Sequence, residues 1–289
     1  DYFLTKRNKT ITIIGATSGD TGSAAIEACR DRDTIKIFML HPEGRVSEVQ
    51  RRQMTTVKAN NVFNLALNGS FDDCQDMVKA LFADEEFRNN SNLSAVNSIN
   101  WARIMAQIVY YFWTALSLGA PDHKFIYSVP TGNFGNIYAG YAATKMGLPI
   151  EKLIIGSNEN DILTRFFNSK NTKGTMSMAP VMSTSSPSMD IQISSNFERL
   201  LFDYYDRDGA TVAKALEDFR RNKTVDLGNQ CWREMCESFE GYRFNDSEVS
   251  TAISDLYSQT GELLDPHSAI GVLGGYKGHT DPTNILVAL

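Results

Sequence analysis

Two glycine-rich segments hold the residue types best suited to binding chemistry, and both stand between a strand-like run and a helix-like run. Residues 130–136 have the sequence PTGNFGN, and residues 15–22 have the sequence GATSGDTG. At a strand–loop–helix junction, backbone N–H groups and the positive end of the helix dipole point to one place, which suits an anion such as phosphate. In the first segment, Asn133 and Asn136 can add side-chain donors. The alternative for this segment is a tight turn whose glycines serve only the backbone conformation.

The segment at residues 15–22 suits an anion such as a carboxylate, because its glycines leave the backbone able to wrap around one. Ser18 and Thr21 can donate hydrogen bonds to that anion, whereas Asp20 suits a hydroxyl or amine partner. A Walker P-loop is excluded, since no lysine follows the last glycine. The alternative is a plain helix start that is capped by Asp20 or Ser23.

The elements around these segments alternate between strand and helix. Apolar and β-branched runs predict strands at residues 10–14, 35–40, 61–67, 93–96, 125–129, 152–156 and 285–288. Apolar residues at helical spacing predict helices from Ser23, over 47–54, from Asp72 or Asp73, over 101–116 and 137–146, and several more after residue 157. Such alternation is typical of parallel sheets with helices on both faces.

We therefore predict an α/β protein with two domains, at residues 1–118 and 119–289, the second being larger and ending in a helix-rich part. The stretch at residues 117–123 is the expected linker, because it contains glycine and proline. Ligands of parallel sheets bind at the carboxyl ends of strands. We therefore expect one cleft to be lined by the loops at residues 15–22, 97–100 and 131–136.

Four local features carry more specific predictions. The helix at 101–116 has an apolar stripe that we expect in the core, formed by Trp101, Ile104, Met105, Ile108, Val109, Phe112, Trp113 and Leu116. Residues 168–188 predict a long loop that covers a site. A later helix is expected to carry Trp232 and Phe239 on its apolar face. Ser194 or Ser195 is expected to cap the helix that follows them.

Composition narrows the classes of function. The chain has 289 residues, 42% of them hydrophobic, and its net charge of −6 without a basic run argues against a nucleic-acid partner. No apolar stretch is long enough to cross a membrane. The 4 cysteines form no C-x-x-C pair and the 4 histidines show no metal-ligand spacing, so we predict a reduced, cytoplasmic protein without a metal site.

The chain resembles threonine synthases, most closely those of bacteria and fungi. The resemblance rests on motifs that follow the family's order and cover essentially the whole chain: GATSGDTGSAA at residues 15–25, QMTTV at 53–57, NSINWARI at 97–104, PTGNFGN at 130–136, NENDI at 158–162, SPSMDIQISSNFERLL at 186–201 and LDPHSAIGV at 264–272. Each motif alone identifies the family only weakly, whereas the whole set in this order is specific to it.

The resemblance implies the fold type II architecture of pyridoxal-phosphate enzymes, which tryptophan synthase β shares. It implies pyridoxal 5′-phosphate as the cofactor, whose phosphate would be held by Gly132, Asn133, Phe134, Gly135 and Asn136. It also implies that the substrate carboxylate and the hydroxyl side of the cofactor ring face Thr17, Ser18, Gly19, Asp20 and Thr21. Asn100 and Arg103 are expected near the substrate, although Arg103 also fits the polar face of a helix.

The implied activity is the conversion of O-phospho-L-homoserine and water to L-threonine and phosphate, a step of threonine biosynthesis. One alternative is a related lyase that acts on other O-phospho amino acids. A second alternative is a non-catalytic binding protein of the same family. The expected partner is a small phosphorylated amino acid, without nucleic acid or membrane, and both a monomer and a dimer stay open.

The family's cofactor-binding lysine has no counterpart at the expected place. It lies in a Phe-Lys-Asp motif before the GATSGDTG loop, and no such motif precedes the first predicted strand here. Lys6 and Lys9 fit a solvated turn instead. The chain begins at Asp1 rather than at a methionine and ends at a strand-like run, residues 285–288. We therefore expect a piece of a longer enzyme, with the lysine shortly before Asp1 and a further C-terminal segment.

Overall fold

The chain forms two compact units, Asp1–Asn100 and Trp101–Leu289. A computed structural model describes residues 1–69, 71–97, 99–168 and 174–289, with the side chain of Asp72 left aside. The division between the units lies one helix before the predicted boundary at 118/119, because the helix Trp101–Ser117 packs on the helix Gly135–Lys145 of the second unit. The domain boundary at 118/119 stays a prediction.

The first unit is a parallel sheet with helices on both faces. Its strands are β1 Ile11–Ala16, β2 Ile35–Pro42, β3 Val62–Leu67 and β4 Leu93–Ala95, in the order β3-β2-β1-β4. Its helices are α1 Tyr2–Lys6, α2 Asp20–Cys29, α3 Glu48–Thr55, α4 Phe71–Ala83 and α5 Glu85–Asn90. Successive β1 residues point to opposite faces. Ile13 packs with Ile26 of α2 and Met54 of α3, whereas Ile14 packs with Cys74 of α4.

The second unit contains a parallel sheet in the order β10-β5-β6-β9 and a small antiparallel pair, β7 with β8. The strands are β5 Phe125–Pro130, β6 Ile150–Ser157, β7 Thr175–Ser177, β8 Thr224–Asp226, β9 Phe239–Arg243 and β10 Ile285–Ala288. The helices are α6 Trp101–Ser117, α7 Gly135–Lys145, α8 Ile162–Asn168, α9 Phe197–Tyr204, α10 Gly209–Asn222, α11 Asn229–Ser238, α12 Asp246–Thr260 and α13 Pro266–Gly278, with a 3₁₀ turn at Pro187–Met189. The predicted α/β class is confirmed.

Strand β5 is buried on both faces because a helix covers each one. Its residues Phe125, Tyr127 and Val129 belong to the large core cluster. On the other face, the Ser128 hydroxyl donates to the carbonyl of Gly271 in α13 at 2.5 Å. A Cβ on Gly274 would lie 2.8 Å from the Ser128 Oγ, so a glycine there lets the helix approach the sheet closely.

Several predicted boundaries need correction. Helix α2 begins at Asp20 with Gly19 as its N-cap, so the interpretation of Asp20 or Ser23 as the capping residue is wrong. Phe239 opens strand β9 and does not continue α11. The predicted loop at 168–188 contains β7, while residues 169–173 of that loop lie outside the described residues. The predicted cap Ser47 is confirmed, because its side chain accepts from the Gln50 N–H.

The apolar stripe of α6 belongs to the core only in part. Ile104 is fully buried, and Ile108 and Phe112 pack against the core. Trp113 is 72% exposed, and the other outer members of the stripe are also exposed, namely Trp101, Met105, Val109 and Leu116. The prediction that the whole stripe is core is therefore wrong, because the stripe is wider than the side of α6 that packs on α7.

No helix in the part of the chain that the structure describes is long and apolar enough to cross a membrane. Within the same ranges, no group of three or more His, Cys, Asp and Glu side chains is placed to hold a metal ion.

Candidate functional site

The loop between β5 and α7 is held by the ring of Phe134. This residue adopts the left-handed conformation, with φ of 63°, which costs a non-glycine residue about 1–3 kcal/mol. Its ring is 1% exposed and packs edge-on against Phe197 at 5.3 Å and tilted against Phe239 at 5.7 Å between centroids. The burial of this aromatic side chain offsets the backbone strain and fixes the turn into α7.

The carbonyl groups of this loop are bound on one side by the protein. The Ser194 hydroxyl donates to the Gly132 carbonyl at 2.7 Å. The Asn133 carbonyl accepts from the backbone N–H and the side-chain Nδ2 of Asn196, each at 3.0 Å. The Tyr111 hydroxyl donates to the Asn136 carbonyl at 2.9 Å. These contacts fix the direction in which the peptide groups of the loop point.

The backbone N–H groups of residues 132–137 have no acceptor among the described residues, whereas the Thr131 N–H donates to the Gly156 carbonyl at 2.8 Å. The side chains of Asn133 and Asn136 are anchored through their Oδ1 atoms, which accept from Ser195 Oγ and from Tyr111 Oη, each at 3.0 Å. Their Nδ2 groups therefore remain as donors. This set of neutral donors at the N-terminus of α7 fits a phosphate group.

Gly132 is required by close approach rather than by its backbone angle. A Cβ at this position would lie 2.8 Å from the carbonyl oxygen of Ser188 and 3.3 Å from the Cα of Met189. Both neighbours are backbone atoms of the 3₁₀ turn, so they cannot give way as the end of a side chain can.

Ser194 and Ser195 support the glycine loop instead of capping α9. The N-cap of α9 is Asn196, whose side chain makes no capping bond, so the predicted capping role of the two serines is wrong. Sequence reasoning missed this support, because the partners lie 62 residues apart in the chain. The local sign in the sequence is the run of small polar residues Ser194-Ser195-Asn196. In the structure, Asn196 of this run is fully buried.

In the first unit, Thr17 holds the Gly15–Gly22 loop together. Its side chain is 1% exposed, and its Oγ1 accepts from the N–H groups of Gly19 at 2.9 Å and Gly22 at 2.8 Å. The hydroxyl therefore serves the loop itself. That Thr17 also contacts the substrate stays a prediction.

Asp20 is bound by an amide that the sequence did not suggest. Its Oδ1 accepts from Gln50 Nε2, and Gln50 Oε1 accepts from the Ser47 hydroxyl at 2.8 Å. Gln50 also packs on Gly19, where a Cβ would lie 2.5 Å from the Gln50 Cδ. Ser18 and Thr21 are half-buried at the start of α2. Gln50 is thus an unpredicted residue that fixes the shape of this loop.

Asn100 and Arg103 lie at the end of the first unit and in the first turn of α6. Burial lowers the pKa of the Arg103 guanidinium from its usual value. Ser98, which belongs to the same sequence motif, lies outside the described residues. The role of Asn100 and Arg103 near a substrate stays a prediction, as does a shared cleft for the predicted loops.

The comparisons with known proteins give one consistent result. The family model described as "Pyridoxal-phosphate dependent enzyme" matches residues 2–221. The chain is 54% identical over 272 residues to a threonine synthase of Pseudomonas aeruginosa, in an alignment that covers 94% of the chain and 57% of that protein. The predicted resemblance to threonine synthases is confirmed.

Solved structures agree with the sequence comparison. A PLP-bound threonine synthase from Brucella melitensis is similar with a TM-score of 0.88 and 50% identity, over 99% of the chain and 61% of that structure. A yeast threonine synthase is similar with a TM-score of 0.86 and 42% identity, over 100% of the chain and 61% of that structure. The predicted fold type II architecture is confirmed. The chain spans 57% of the length of the Pseudomonas relative.

Proposed function

Because the chain belongs to the family of pyridoxal-phosphate dependent enzymes, we propose that it forms the cofactor- and substrate-binding part of a threonine synthase. The proposed reaction converts O-phospho-L-homoserine and water to L-threonine and phosphate. The identity of 54% to the Pseudomonas threonine synthase supports this assignment.

One observation carries the cofactor assignment. The carbonyls of Gly132, Asn133 and Asn136 are bound by the protein, while the N–H groups of residues 132–137 have no acceptor among the described residues. We propose that these N–H groups, with the side chains of Asn133 and Asn136, bind the phosphate of pyridoxal 5′-phosphate. When bound, this cofactor stabilises negative charge on substrate carbon atoms, which proton removal requires.

The loop at the N-terminus of α2, in the first unit, is the proposed binding site for the substrate carboxylate. The Ser18 and Thr21 hydroxyls and the positive end of the α2 dipole suit an anion. Thr17 and Gln50 keep the loop in shape, through the bonds to Gly19 and Gly22 and through the bond to Asp20. In the proposal, Ser18 and Thr21 therefore bind the carboxylate, and Thr17 is a positioning residue.

The guanidinium of Arg103 and the amide of Asn100 are proposed to bind the anionic groups of the phosphorylated substrate. A guanidinium is suited to phosphate because of its planar set of donors. Arg103 keeps its charge in spite of the lowered pKa, since the usual value for arginine lies above 12. The lysine that binds the cofactor covalently stays predicted upstream of Asp1.

A cytoplasmic location completes the proposal. Cys29, Cys74, Cys231 and Cys236 are all unpaired, and Cys29 and Cys74 are buried as thiols. Unpaired, buried thiols are usual in a reducing compartment.

The test is to incubate the full-length protein, which includes the lysine predicted upstream of Asp1, with pyridoxal 5′-phosphate and O-phospho-L-homoserine and to measure L-threonine, 2-oxobutyrate and phosphate. The same full-length protein is the parent of every variant below. We expect L-threonine and phosphate in equal amounts. Formation of 2-oxobutyrate in place of L-threonine would contradict the proposal and support the related lyase. The absence of both products, together with the absence of a cofactor absorbance band that borohydride changes, would support a non-catalytic relative.

A further inference from the structure

The glycine loop is supported from behind by a segment that we call the strap, residues 182–196. The strap contains the 3₁₀ turn, whose Ser188 carbonyl lies 2.8 Å from the position of a Gly132 Cβ. At its end, Ser194 and Asn196 donate to the loop carbonyls of Gly132 and Asn133. The position of the strap therefore sets where the loop carbonyls, and hence the opposite N–H groups, point.

Asp190 is the residue that closes the strap on itself. Its Oδ1 accepts from the Thr184 hydroxyl at 2.7 Å, and its Oδ2 accepts from the Thr184 N–H at 3.0 Å. These bonds join the beginning of the strap to its middle. In the described part of the chain, no lysine or arginine forms an ion pair with this carboxylate, so neutral donors alone hold it.

The same carboxylate ties the strap to the sheet. Its Oδ1 also accepts from Asn158 Nδ2 at 2.8 Å and Asn160 Nδ2 at 3.0 Å. Asn158 follows the last residue of β6 and is 1% exposed. Its Nδ2 also lies 3.2 Å from the Ser186 carbonyl, and its Oδ1 accepts from the Asn160 N–H at 2.9 Å. Asp190 thus connects the end of β6 to the strap, and the strap contacts the loop that follows β5.

We propose that Asp190 is a positioning residue that sets the phosphate-binding geometry of the Gly132–Asn136 loop through the strap. The inference rests on the proposed function, because the anion is taken to be the cofactor phosphate. A network that served stability alone would not need to place Ser194 and Asn196 on successive loop carbonyls. Asp190 acts on the loop through the strap, and the loop is proposed to bind the phosphate of the cofactor. Substitution of Asp190 should therefore weaken binding of the phosphate and leave binding of the rest of the cofactor unchanged.

The test compares the affinity of the protein for pyridoxal 5′-phosphate with its affinity for pyridoxal, which lacks the phosphate. Asp190→Asn keeps the shape of the side chain but replaces one accepting oxygen by a donor that faces donors. We expect the affinity for pyridoxal 5′-phosphate to fall about tenfold, which is the effect of one unsatisfied, partly buried hydrogen bond, while the affinity for pyridoxal is unchanged. Hydrogen exchange of the amides at residues 132–137 should become faster.

A second test variant and a control variant complete the experiment. Thr184→Val removes the hydroxyl that bridges Asn158 and Asp190. This variant should also lower the affinity for pyridoxal 5′-phosphate and leave the affinity for pyridoxal unchanged, so it keeps the test available if Asp190→Asn does not fold. Ser185→Ala is the matched control, since the Ser185 hydroxyl donates to Asp246 outside the strap at 2.8 Å. This control should leave both affinities as in the parent protein.

Equal loss of both affinities in Asp190→Asn and Thr184→Val, or no loss in either variant, would overturn the positioning role while leaving the proposed function intact. Failure of the parent protein to bind pyridoxal 5′-phosphate is a separate result. It would overturn the proposed function and, with it, the inference about Asp190.

Discussion

Tyr111 of α6 donates its hydroxyl to both oxygen atoms of Asn136, the backbone carbonyl at 2.9 Å and the side-chain Oδ1 at 3.0 Å. Burial raises the pKa of the Tyr111 hydroxyl well above its usual value, so the group stays protonated and remains a donor. One buried phenol thus orients both the first turn of α7 and a side-chain amide of the candidate phosphate site. The packing of α6 on α7 is therefore a part of the site's construction.

Tyr111→Phe should lower both the stability of the protein and the affinity of the candidate site for the cofactor. The substitution keeps the ring in the core but removes the hydroxyl that the two Asn136 oxygens share, at a cost of about 1–3 kcal/mol in the free energy of unfolding. Urea unfolding measures the stability, and titration with pyridoxal 5′-phosphate measures the site, where we expect weaker binding. Tyr110→Phe is the control, because Tyr110 is exposed, and unchanged stability is expected for it. Equal effects of the two variants would contradict this interpretation.

Phe134→Ala tests whether the buried ring holds the loop in its left-handed turn. The variant keeps the unfavourable φ but loses the packing against Phe197 and Phe239, so the free energy of unfolding should fall by about 3–5 kcal/mol. Thermal and urea unfolding are the measurements. Phe202→Ala on the neighbouring helix is the control, since Phe202 is 38% exposed and should cost clearly less. A loss at position 134 that is no larger than at position 202 would show that the ring does not anchor the loop.

The sequence predicted the parts of the fold that depend on local pattern. The parallel strands, the two glycine loops and the helix-rich C-terminal part follow from alternating apolar runs and glycine positions. It did not predict which side of a wide apolar stripe is buried, as α6 shows. That choice depends on the neighbouring helix, which local periodicity does not contain.

The candidate site was predicted as a loop but not as a supported loop. The bonds that orient it come from Tyr111 and Ser194, at separations of 25 and 62 residues from their partners. Short polar residues such as Ser194 are common caps, so the local interpretation as a helix cap was reasonable and wrong. Only the tertiary structure shows that the same hydroxyl binds a carbonyl of the glycine loop.

Asp265→Ala should remove a stabilisation that depends on pH. The Asp265 carboxylate caps α13 by accepting from the N–H groups of His267 at 2.8 Å and Ser268 at 3.1 Å. The hydrogen bond from the His267 side chain, followed by those from Ser268, lowers the pKa of Asp265 well below its usual range. A lowered pKa in the folded state means that this stabilisation is fully present above the unfolded pKa of about 4. It is lost progressively as the pH falls from there through the lower folded pKa.

The measurement is thermal unfolding of the parent protein and of Asp265→Ala between neutral and acidic pH. At neutral pH the variant should be less stable by about 1 kcal/mol, the usual contribution of an N-cap, and the difference should shrink below about pH 4. Glu86→Ala in the first turn of α5 is the control for loss of an exposed acidic side chain near a helix start. A difference that stays constant down to acidic pH would show that the charge of Asp265 is not involved.

Gly132→Ala should impair phosphate binding more than the same substitution at a glycine of the second unit that has room for a methyl group. The new Cβ would meet the Ser188 carbonyl oxygen at 2.8 Å and the Met189 Cα at 3.3 Å, so either the loop or the strap must move. Movement of the loop turns its N–H groups away from a common point, and we expect the affinity for pyridoxal 5′-phosphate to fall at least about tenfold. Gly209→Ala is the matched control, because the one neighbour of its Cβ within 4 Å among the described residues lies 3.8 Å away, in ordinary contact. Since alanine also favours the helix that begins there, this control should keep full affinity and equal or slightly higher stability. Calorimetric titration with the cofactor, alongside urea unfolding of both variants, separates the two effects, and a Gly132→Ala protein that binds like the control would show that the strap does not confine the loop.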